Sequence, residues 1–320
     1  MKTFIHTLSI AMSVIILAAS CNKTDSKYVI PAQEQQQTAD DGLFDVRISF
    51  TSALTKALKN GAEEQVNSVQ IYVFDEDNDN RLETFNVGTS KNPVVRLSAG
   101  NKLFKVLVNS KVDSSLVTSL DALNGMLSDF SDNRSDNFVM SGELSKEITA
   151  STPVEIEVSR LAAKVVLSKI TTDFSAPVYA AKTFTVDSIY LTNVAQKCQF
   201  FAENTYTPDS WSKGYALTAD SVHKEVKDKK YEEPHIFYTY PNGTDTPTRL
   251  VILATLGDTQ YYYPIDLGTL ESNMVYSVTD IKITRPGSAS EDEPVVSSEI
   301  AFTIKVADWD SQENNIQEIL

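Results

Sequence analysis

The sequence predicts an all-β protein with one or two short helices. Stretches of strand length in which apolar and polar residues alternate recur through most of the chain, and this alternation places the apolar side chains on one face of a strand. Hydrophobic residues make up 42% of the 320 residues, which is enough to build a buried core. Leucines at helical spacing occur in one segment only, between residues 113 and 130. The chain length indicates about two domains.

The beginning of the chain has the layout of a secretory signal. Lys2 precedes an apolar run, residues 8–18, that is too short to span a bilayer stably. Small residues then lead to Cys21, which resembles the lipobox of bacterial lipoproteins. We therefore expect cleavage between Ser20 and Cys21 and a lipid such as palmitate on Cys21. The alternative is an ordinary signal peptide, residues 1–20, followed by an incidental cysteine.

Charge and cysteine content narrow the classes of function. The formal net charge is -15, and such an acidic surface repels nucleic acid, so we exclude a nucleic-acid partner. Once Cys21 carries lipid, Cys198 has no partner for a disulfide, and we expect a buried strand cysteine. Residues 21–42 are polar and are interpreted as a tether.

The folded part is predicted to begin with a half-buried strand. Phe44, Val46, Ile48 and Phe50 alternate there with polar residues. Lys56 follows among small and flexible residues, so a trypsin-like protease could enter this segment if it is exposed. Cutting there could remove a strand that the core needs. We therefore interpret the first strand as one that a strand of another subunit replaces.

Further strands are predicted through the first half of the chain, at residues 69–74, 82–87, 93–97, 103–108, 138–142 and 154–158. The strand at 103–108 is nearly continuous in apolar character, which is typical of a central strand buried on both faces.

The acidic turn at residues 75–80 spaces its carboxylates like a calcium loop. However, Asn80 and Asn86 stand where such a loop needs Gly and Glu, so a solvated turn is favoured. The leucines between residues 113 and 130 predict the one helix, packed on the sheet.

The second half is also predicted to be mostly strand, at residues 161–167, 184–191, 199–202, 235–240, 249–256, 260–265 and 276–283. The domain junction is placed at Arg160, which gives an N-terminal domain of residues 43–160 and a C-terminal domain of residues 161–320. Residues 211–233 are polar and predict a long surface excursion. Residues 285–294 carry two prolines and an acidic run, which excludes a central strand.

The chain closes with a predicted strand at residues 300–309. Ile300, Phe302, Ile304 and Val306 share one face of it. An extended segment of this kind can pair its main chain with a sheet that has lost a strand, and its side chains can fill the vacated sites. If this segment pairs with the next molecule rather than with its own, each contact is head to tail and a filament grows.

Local motifs of enzymes, metal sites and cofactor sites are absent from the sequence. His6 leaves with the signal, and neither His223 nor His235 has a partner at ligand spacing, so a zinc site is not expected. There is no glycine-rich phosphate loop and no Gly-x-Ser-x-Gly turn. We therefore expect a protein that is not an enzyme, with no catalytic residue, no metal and no cofactor.

A set of short motifs, each weak alone, runs in order over nearly the whole chain. It comprises the lipobox, Thr55-Lys56-Ala57, Val73-Phe74-Asp75, the strand from Leu103 to Asn109, Arg160-Leu161-Ala162-Ala163-Lys164-Val165, Tyr262-Tyr263-Pro264-Ile265, Asn273-Met274-Val275-Tyr276 and Val306-Ala307-Asp308-Trp309. Together these motifs resemble the Bacteroidetes fimbrillins, the FimA- and Mfa-type pilins of type V pili.

This resemblance implies a protein of two transthyretin-like β-sandwich domains, exported as an outer-membrane lipoprotein precursor. In stalk subunits of that family a protease cuts the loop after the first strand, and the groove left by that strand accepts the C-terminal strand of a neighbouring subunit. Matched to this sequence, the cut falls between Lys56 and Ala57. The donor is the segment from Ile300 to Trp309, with or without the tail after it. The best-known cut in the family follows Arg, and Arg47 is the other basic candidate, but it lies within the first strand.

We therefore expect a structural pilus subunit that forms a homopolymer and supports adhesion, with a mature extracellular form starting at Ala57. The alternative is a lipid-anchored surface lipoprotein that does not polymerise. It would be a pilus anchor that keeps its first strand, or a tip adhesin that binds carbohydrate or a host protein. Trp211, Tyr215 and the tyrosines at 261–263 are the candidate sugar contacts, although packing in sheets is the commoner use of such residues.

Overall fold

The computed structural model describes residues 42–52, 63, 65–201, 211–212, 220–243, 245–293 and 300–309, which all lie in one compact unit, Gln36–Leu320. Its elements are almost all β-strands, so the predicted all-β class is confirmed. The α-helices in this part of the chain are α1 (Leu120–Asn124) and α2 (Pro177–Ala180). Neither has the length and apolar character needed to cross a bilayer.

The described strands are β1 (Phe44–Ser52), β2 (Val69–Asp75), β3 (Arg81–Gly88), β4 (Val94–Leu97), β5 (Gly100–Val108), β6 (Leu127–Asp129), β7 (Met140–Ile148), β8 (Val154–Arg160), β9 (Ala163–Leu167), β10 (Ile170–Thr172), β11 (Phe184–Thr192), β12 (Val194–Ala195), β13 (Lys197–Gln199), β14 (Trp211–Ser212), β15 (Asp220–Glu225), β16 (Lys230–Tyr231), β17 (His235–Thr239), β18 (Arg249–Leu256), β19 (Thr259–Asp266), β20 (Met274–Ile283) and β21 (Ile300–Asp308).

A seven-stranded sheet gathers most strands of the first half, in the order β3-β2-β5-β7-β8-β1-β4. β5 lies between β2 and β7, and its residues from Phe104 to Val108 are all buried, so its predicted central position is confirmed. β7 and β8 pair at two positions only, next to Gly142. The backbone of β8 passes so close to Gly142 that a side chain there would collide with the carbonyl of Glu157.

The strands of the second half form two further sheets. One has the order β16-β10-β20-β9-β17, with β21 paired to β20, and the other has the order β15-β11-β18-β19. β9 and β10 are consecutive in the chain and both run parallel to β20. β21 runs antiparallel to β20 along the same strand. The sheet therefore ends, among the described strands, in β21.

The strand pairing changes near the predicted domain junction, but the two halves are not separate. The seven-stranded sheet uses residues up to Arg160, and the other two large sheets use residues from Ala163 onward. However, β6 pairs with β13 across the junction, and the buried residues of both halves form one hydrophobic cluster. The division into residues 43–160 and 161–320 stays a prediction.

The helix predicted between residues 113 and 130 is confirmed only over the five residues of α1 and is wrong over the rest of the segment. This segment contains a 3-10 turn at Ser114–Leu116, the five-residue α1, the strand β6 and a second 3-10 turn at Phe130–Asp132. The side chains of Asp113, Ser119 and Asp129 each accept a backbone N–H just ahead, and each such cap starts a new short turn. Leu116 is 63% exposed, so the leucines do not form one apolar face.

The surface excursion predicted for residues 211–233 is wrong in part. It contains β15, which pairs with β11, and β16, which pairs with β10. Tyr231 of β16 is buried, and its hydroxyl lies 2.6 Å from the Nε2 of His235. The polar composition hid these strands because β15 is an edge strand with mostly exposed side chains after Val222.

Candidate functional site

β1 is bonded to the rest of the sheet by two ladders that follow one another along the strand. Phe44–Arg47 pair antiparallel with β4, and Ile48–Ser52 pair parallel with β8. The backbone N–H of Ile48 also donates to the carbonyl of Pro93 at 2.8 Å. β1 is the only described strand that pairs with β4. Loss of β1 would therefore leave two edges open at once, on β4 and on β8.

The inner face of β1 is part of the core, as its alternation predicted. Val46 and Ile48 are fully buried, and Phe44 and Phe50 are partly buried against the core cluster. Arg47 lies on the opposite, exposed face. Four apolar sites would therefore become vacant together with the two open edges.

β21 has the same length as β1 but a very different environment. Ile300 is buried and Ile304 is partly buried, whereas Phe302 is 40% exposed and Val306 is 52% exposed. Among the described strands, β21 pairs only with β20. The predicted donor segment is therefore an edge strand of its own subunit, and two of its four large apolar residues are exposed to solvent.

A largely buried cluster joins four distant parts of the chain, and we call it the Glu63 cage: Glu63, Arg160, Lys164, Tyr238 and Trp309. The Lys164 ammonium donates to both carboxylate oxygens of Glu63, each at 3.0 Å. The indole Nε1 of Trp309 donates to Glu63 Oε2 at 3.0 Å, and the Tyr238 hydroxyl donates to Oε1. Arg160 Nε donates to the backbone carbonyl of Glu63 at 3.3 Å. Each oxygen of the carboxylate therefore accepts two hydrogen bonds.

Trp309, directly after β21, is fully buried within this cage. Its ring stacks on Tyr238 with centroids 5.8 Å apart, and it meets Phe138 edge-on at 5.3 Å. The guanidinium of Arg160 lies 4.7 Å from the ring, in a cation–π arrangement. The backbone N–H of Trp309 donates to the carbonyl of Asn273 at 3.0 Å. The end of β21 is therefore held far more firmly than its middle.

Within the cage, the charge of the Glu63 carboxylate is paired with that of the Lys164 ammonium. Burial raises the pKa of Glu63, but the charge of Lys164 and the hydrogen bonds from Tyr238, Lys164 and Trp309 outweigh it and hold the pKa below its usual value. Lys164 is only 5% exposed, so its ammonium needs this carboxylate as a partner. Breaking the cage would separate two buried charges, which is expensive in a medium of low dielectric constant.

The sequence motifs contain the residues that surround Glu63, but Glu63 itself was not predicted. Arg160 and Lys164 belong to one of those motifs, Asn273 begins another, and Trp309 ends the last. Arg160 ends β8 and Lys164 lies in β9, and two cations next to buried strands predict a buried anion nearby. The chain has 43 Asp and Glu residues, and no local pattern singles out Glu63 among them.

The predicted processing residues lie outside the described part of the chain. These are Ser20 and Cys21 at the signal junction and Lys56 and Ala57 at the maturation cut. Glu63 is the first described residue after that cut. It therefore marks where the connection from β1 to β2 rejoins the core.

Of the predicted sugar-contacting aromatics, the structure describes the tyrosines at 261–263, and it does not bring these three onto one surface. Tyr263 is fully buried, packs edge-on against Phe184 and donates its hydroxyl to the carbonyl of Arg285 at 3.1 Å. Tyr262, its neighbour in β19, projects from the opposite face of the strand. The side chain of Trp211 and all of Tyr215 lie outside the described residues. The tyrosines of β19 thus do not form a flat platform for a sugar ring.

The acidic turn after β2 is tied to the protein by its carboxylates. Asp77 accepts from the backbone N–H of Asn101 at 2.7 Å and from its side-chain amide at 2.9 Å, while Asp75 accepts from the buried Lys102 at 2.8 Å. These hydrogen bonds hold the pKa of Asp77 below its usual value. Within the described residues, no group of three or more His, Cys, Asp or Glu side chains is placed to hold a metal ion.

Cys198 lies in β13, as a strand cysteine was predicted to. Only 7% of it is exposed, and burial raises the pKa of its thiol to about 12. A thiol that stays protonated at neutral pH is a poor nucleophile. The residue therefore contributes to packing where β6 and β13 join the two halves of the chain.

The fold can be compared with proteins of known structure. No protein-family model matches the chain, and no curated protein matches its sequence. A candidate cell adhesion protein from Bacteroides eggerthii DSM 20697 is 22% identical, with a TM-score of 0.64 over 85% of this chain and 98% of that chain. The fimbrilin of Porphyromonas gingivalis W83 is 13% identical, with a TM-score of 0.61 over 83% of this chain and 97% of that chain.

A third similar structure is the tip fimbrial protein Mfa3 of Porphyromonas gingivalis, solved with a C-terminal truncation. It is 13% identical, with a TM-score of 0.55 over 83% of this chain and 100% of that chain. The chain therefore has the fold of fimbrial and candidate adhesion proteins of these bacteria. The resemblance to fimbrillins that the motifs predicted is confirmed at the level of the fold.

Proposed function

We propose that this protein is a structural pilus subunit that polymerises by exchanging a β-strand between copies. In this proposal the chain is exported as a lipoprotein with its lipid on Cys21, and a trypsin-like protease cuts between Lys56 and Ala57. β1 then leaves, and β21 of a second copy takes its place. The mature form lies outside the cell in the fimbrium, where it supports adhesion.

The observation that carries this proposal is the contrast between the two terminal strands. β1 fills four apolar sites and two ladders, yet it precedes a segment with a basic residue suited to cutting. β21 has the same length and the same spacing of large apolar residues, but two of those residues are exposed on its own subunit. A second copy offers those residues a buried site once its own β1 has gone.

The expected strength of such a joint is sufficient for a fibre. Burying four large apolar side chains contributes on the order of 6 to 12 kcal/mol before the cost of ordering the donor. Main-chain hydrogen bonds to β4 and β8 would add to this and fix the register. Because donor and acceptor are different surfaces of one molecule, each addition leaves a new acceptor, and the assembly does not close.

The mature N-terminus tests the proposal directly. Mass spectrometry of the protein taken from the cell surface should show a chain that starts at Ala57. A Lys56→Ala variant should keep β1 and stay unpolymerised, whereas the matched variant Lys59→Ala, three residues further on, should be processed normally. A surface form that starts at a lipidated Cys21 in all variants would contradict the proposal and favour an anchor subunit or a binding lipoprotein.

The oligomers provide the second test. Wild-type protein should give a ladder of bands that resists heat and detergent on a gel. Deleting residues 300–320 should abolish this ladder, because the donor strand is lost. If the ladder persists after that deletion, β21 is not the donor and the proposed joint is wrong.

A further inference from the structure

We propose that the Glu63 cage is a latch that holds β21 on its own subunit, and that cutting the chain at Lys56 loosens it. The loosened β21 then becomes available to a second copy of the same chain. This inference rests on the proposed strand exchange and concerns what controls it.

The first reason is where β21 is held. Phe302 and Val306 are 40% and 52% exposed, and Ile304 between them is only partly buried, so the middle of the strand is less well packed than its end. Its end is fixed by Trp309, which is fully buried and bonded to Glu63 through its ring N–H. β21 cannot pass to a neighbour while Trp309 stays in the cage. Release of Trp309 is therefore the step that limits exchange.

The second reason is the origin of the carboxylate that holds Trp309. Glu63 belongs to the connection between β1, which ends at Ser52, and β2, which begins at Val69. The same connection carries the proposed cut at Lys56. The residue that retains the donor strand therefore lies in the segment whose cleavage creates the acceptor groove.

The third reason is the effect of a cut on this connection. In the intact chain Glu63 is tethered from both sides, by β1 and by β2, so when it leaves the cage it stays near its partners and returns quickly. After the cut it is tethered only by β2, and the opened state gains conformational freedom. Opening of the cage thus becomes more favourable without any change in the contacts of the closed cage.

The charges explain why the latch stays closed before the cut. Lys164 and Arg160 are 5% and 1% exposed, and both donate hydrogen bonds to Glu63. Withdrawing the carboxylate leaves the Lys164 ammonium buried without its anion, which disfavours the open state. A subunit that has not been cut therefore keeps β21 to itself and does not polymerise early.

The test uses the full chain with the recognition sequence of a specific endoprotease placed at Lys56, so that cutting starts on demand. The protein has two tryptophans, and a Trp211→Phe background leaves Trp309 as the only one. Quenching of its fluorescence by acrylamide then reports how often Trp309 leaves the cage. Formation of oligomers is followed separately by light scattering.

Glu63→Gln is the variant that opens the latch, because it removes the charge and keeps the shape. The matched control is Glu143→Gln, since Glu143 also pairs with a mostly buried lysine, Lys105, but does not touch Trp309. Before cutting, we expect quenching of Trp309 to be about tenfold more effective in Glu63→Gln than in wild type or the control, as the loss of one charge-assisted hydrogen bond implies. Hydrogen exchange at β5 should be unchanged, which shows that the fold is intact.

Cutting should raise the quenching of Trp309 in wild type towards the level of Glu63→Gln, and oligomers should then grow faster in Glu63→Gln than in Glu143→Gln. The latch is wrong if Trp309 stays protected in all variants before and after cutting, or if oligomers grow at one rate in all of them. If cutting exposes Trp309 but no oligomers form, the latch stands and the proposed polymerisation fails. If Glu63→Gln loses protection at β5, Trp309→Phe replaces it in the light-scattering measurement alone, because that variant removes the N–H donor to Glu63 and keeps an aromatic ring. After cutting, its oligomers should grow faster than those of Glu143→Gln, and growth at the same rate would contradict the latch.

Discussion

The first and last described strands have nearly the same sequence pattern and opposite environments. β1 and β21 each contain nine residues with large apolar side chains at four alternate positions. β1 is enclosed by β4 and β8, and Val46 and Ile48 are fully buried. β21 has one strand neighbour among the described residues and exposes Phe302 and Val306. Alternation thus predicts a strand with an apolar face, but it does not say which molecule covers that face.

The largest expected difference between the two strands is in their contribution to stability. Ile48→Ala should lower the free energy of unfolding by about 2–5 kcal/mol, because it leaves a cavity in the core. Ile304→Ala is the matched change in β21, and it should cost about 1 kcal/mol or less in the monomer, since Ile304 is only partly buried. Urea unfolding of uncut monomer measures both. Equal losses would show that β21 is as much a part of its own core as β1.

A change at Trp309 should lower the stability of the protein more than a change in the middle of β21. Trp309→Phe removes the N–H that donates to Glu63 at 3.0 Å and part of a fully buried ring. We expect a loss of about 1–3 kcal/mol in the free energy of unfolding. Phe302→Leu, in the exposed middle of the same strand, is the control and should change stability by less than about 0.5 kcal/mol. A similar loss in both variants would contradict the special role of the end of β21.

Acid should loosen the end of β21 and leave β1 in place. The pKa of Glu63 is held below its usual value of 4.5, so the unfolded chain binds a proton at this residue more readily than the folded chain. The stabilisation from this carboxylate is present above pH 4.5 and is lost as the pH falls through the lower, folded pKa. The stability difference between wild type and Glu63→Gln should therefore shrink as the pH falls from 5 to 3. A difference that stays constant over this range would show that the charge of Glu63 is not what stabilises the cage.

The smallest effect is expected at the exposed ion pair on the outer face of β1. Asp45 and Arg96 approach to 3.5 Å, and their side chains are 64% and 53% exposed. Asp45→Asn should change the free energy of unfolding by about 0.5 kcal/mol or less, because water screens such pairs. A larger loss would mean that the β1–β4 ladder depends on its outer face as well as on Val46 and Phe44.

The sequence predicted the strands whose pattern is strong and local. Apolar alternation located β1 and β21, and the continuous apolar run located β5 in the centre of its sheet. It failed where side-chain caps compete with helical spacing, as at Asp113, Ser119 and Asp129. Capping geometry depends on backbone torsions that the spacing of leucines does not report.

For the candidate site, the sequence predicted the strands β1 and β21 but not the side-chain contacts that hold them. Phe302 is exposed because little of the rest of the protein packs on it, and the sequence of β21 does not report this. The Glu63 cage brings together residues from positions 63, 160, 164, 238 and 309, so its members share no local pattern. Arg160 in β8 and Lys164 in β9 indicate that a buried anion lies nearby, but only the fold shows that this anion is Glu63.

If β1 is replaced as proposed, its two successive ladders set the length that the replacing strand needs. Phe44–Arg47 serve β4 and Ile48–Ser52 serve β8, and the two stretches do not overlap. A peptide half as long would pair with one of these edges and leave the other exposed to water. In the proposed exchange, only a strand of the full nine residues would therefore satisfy both edges.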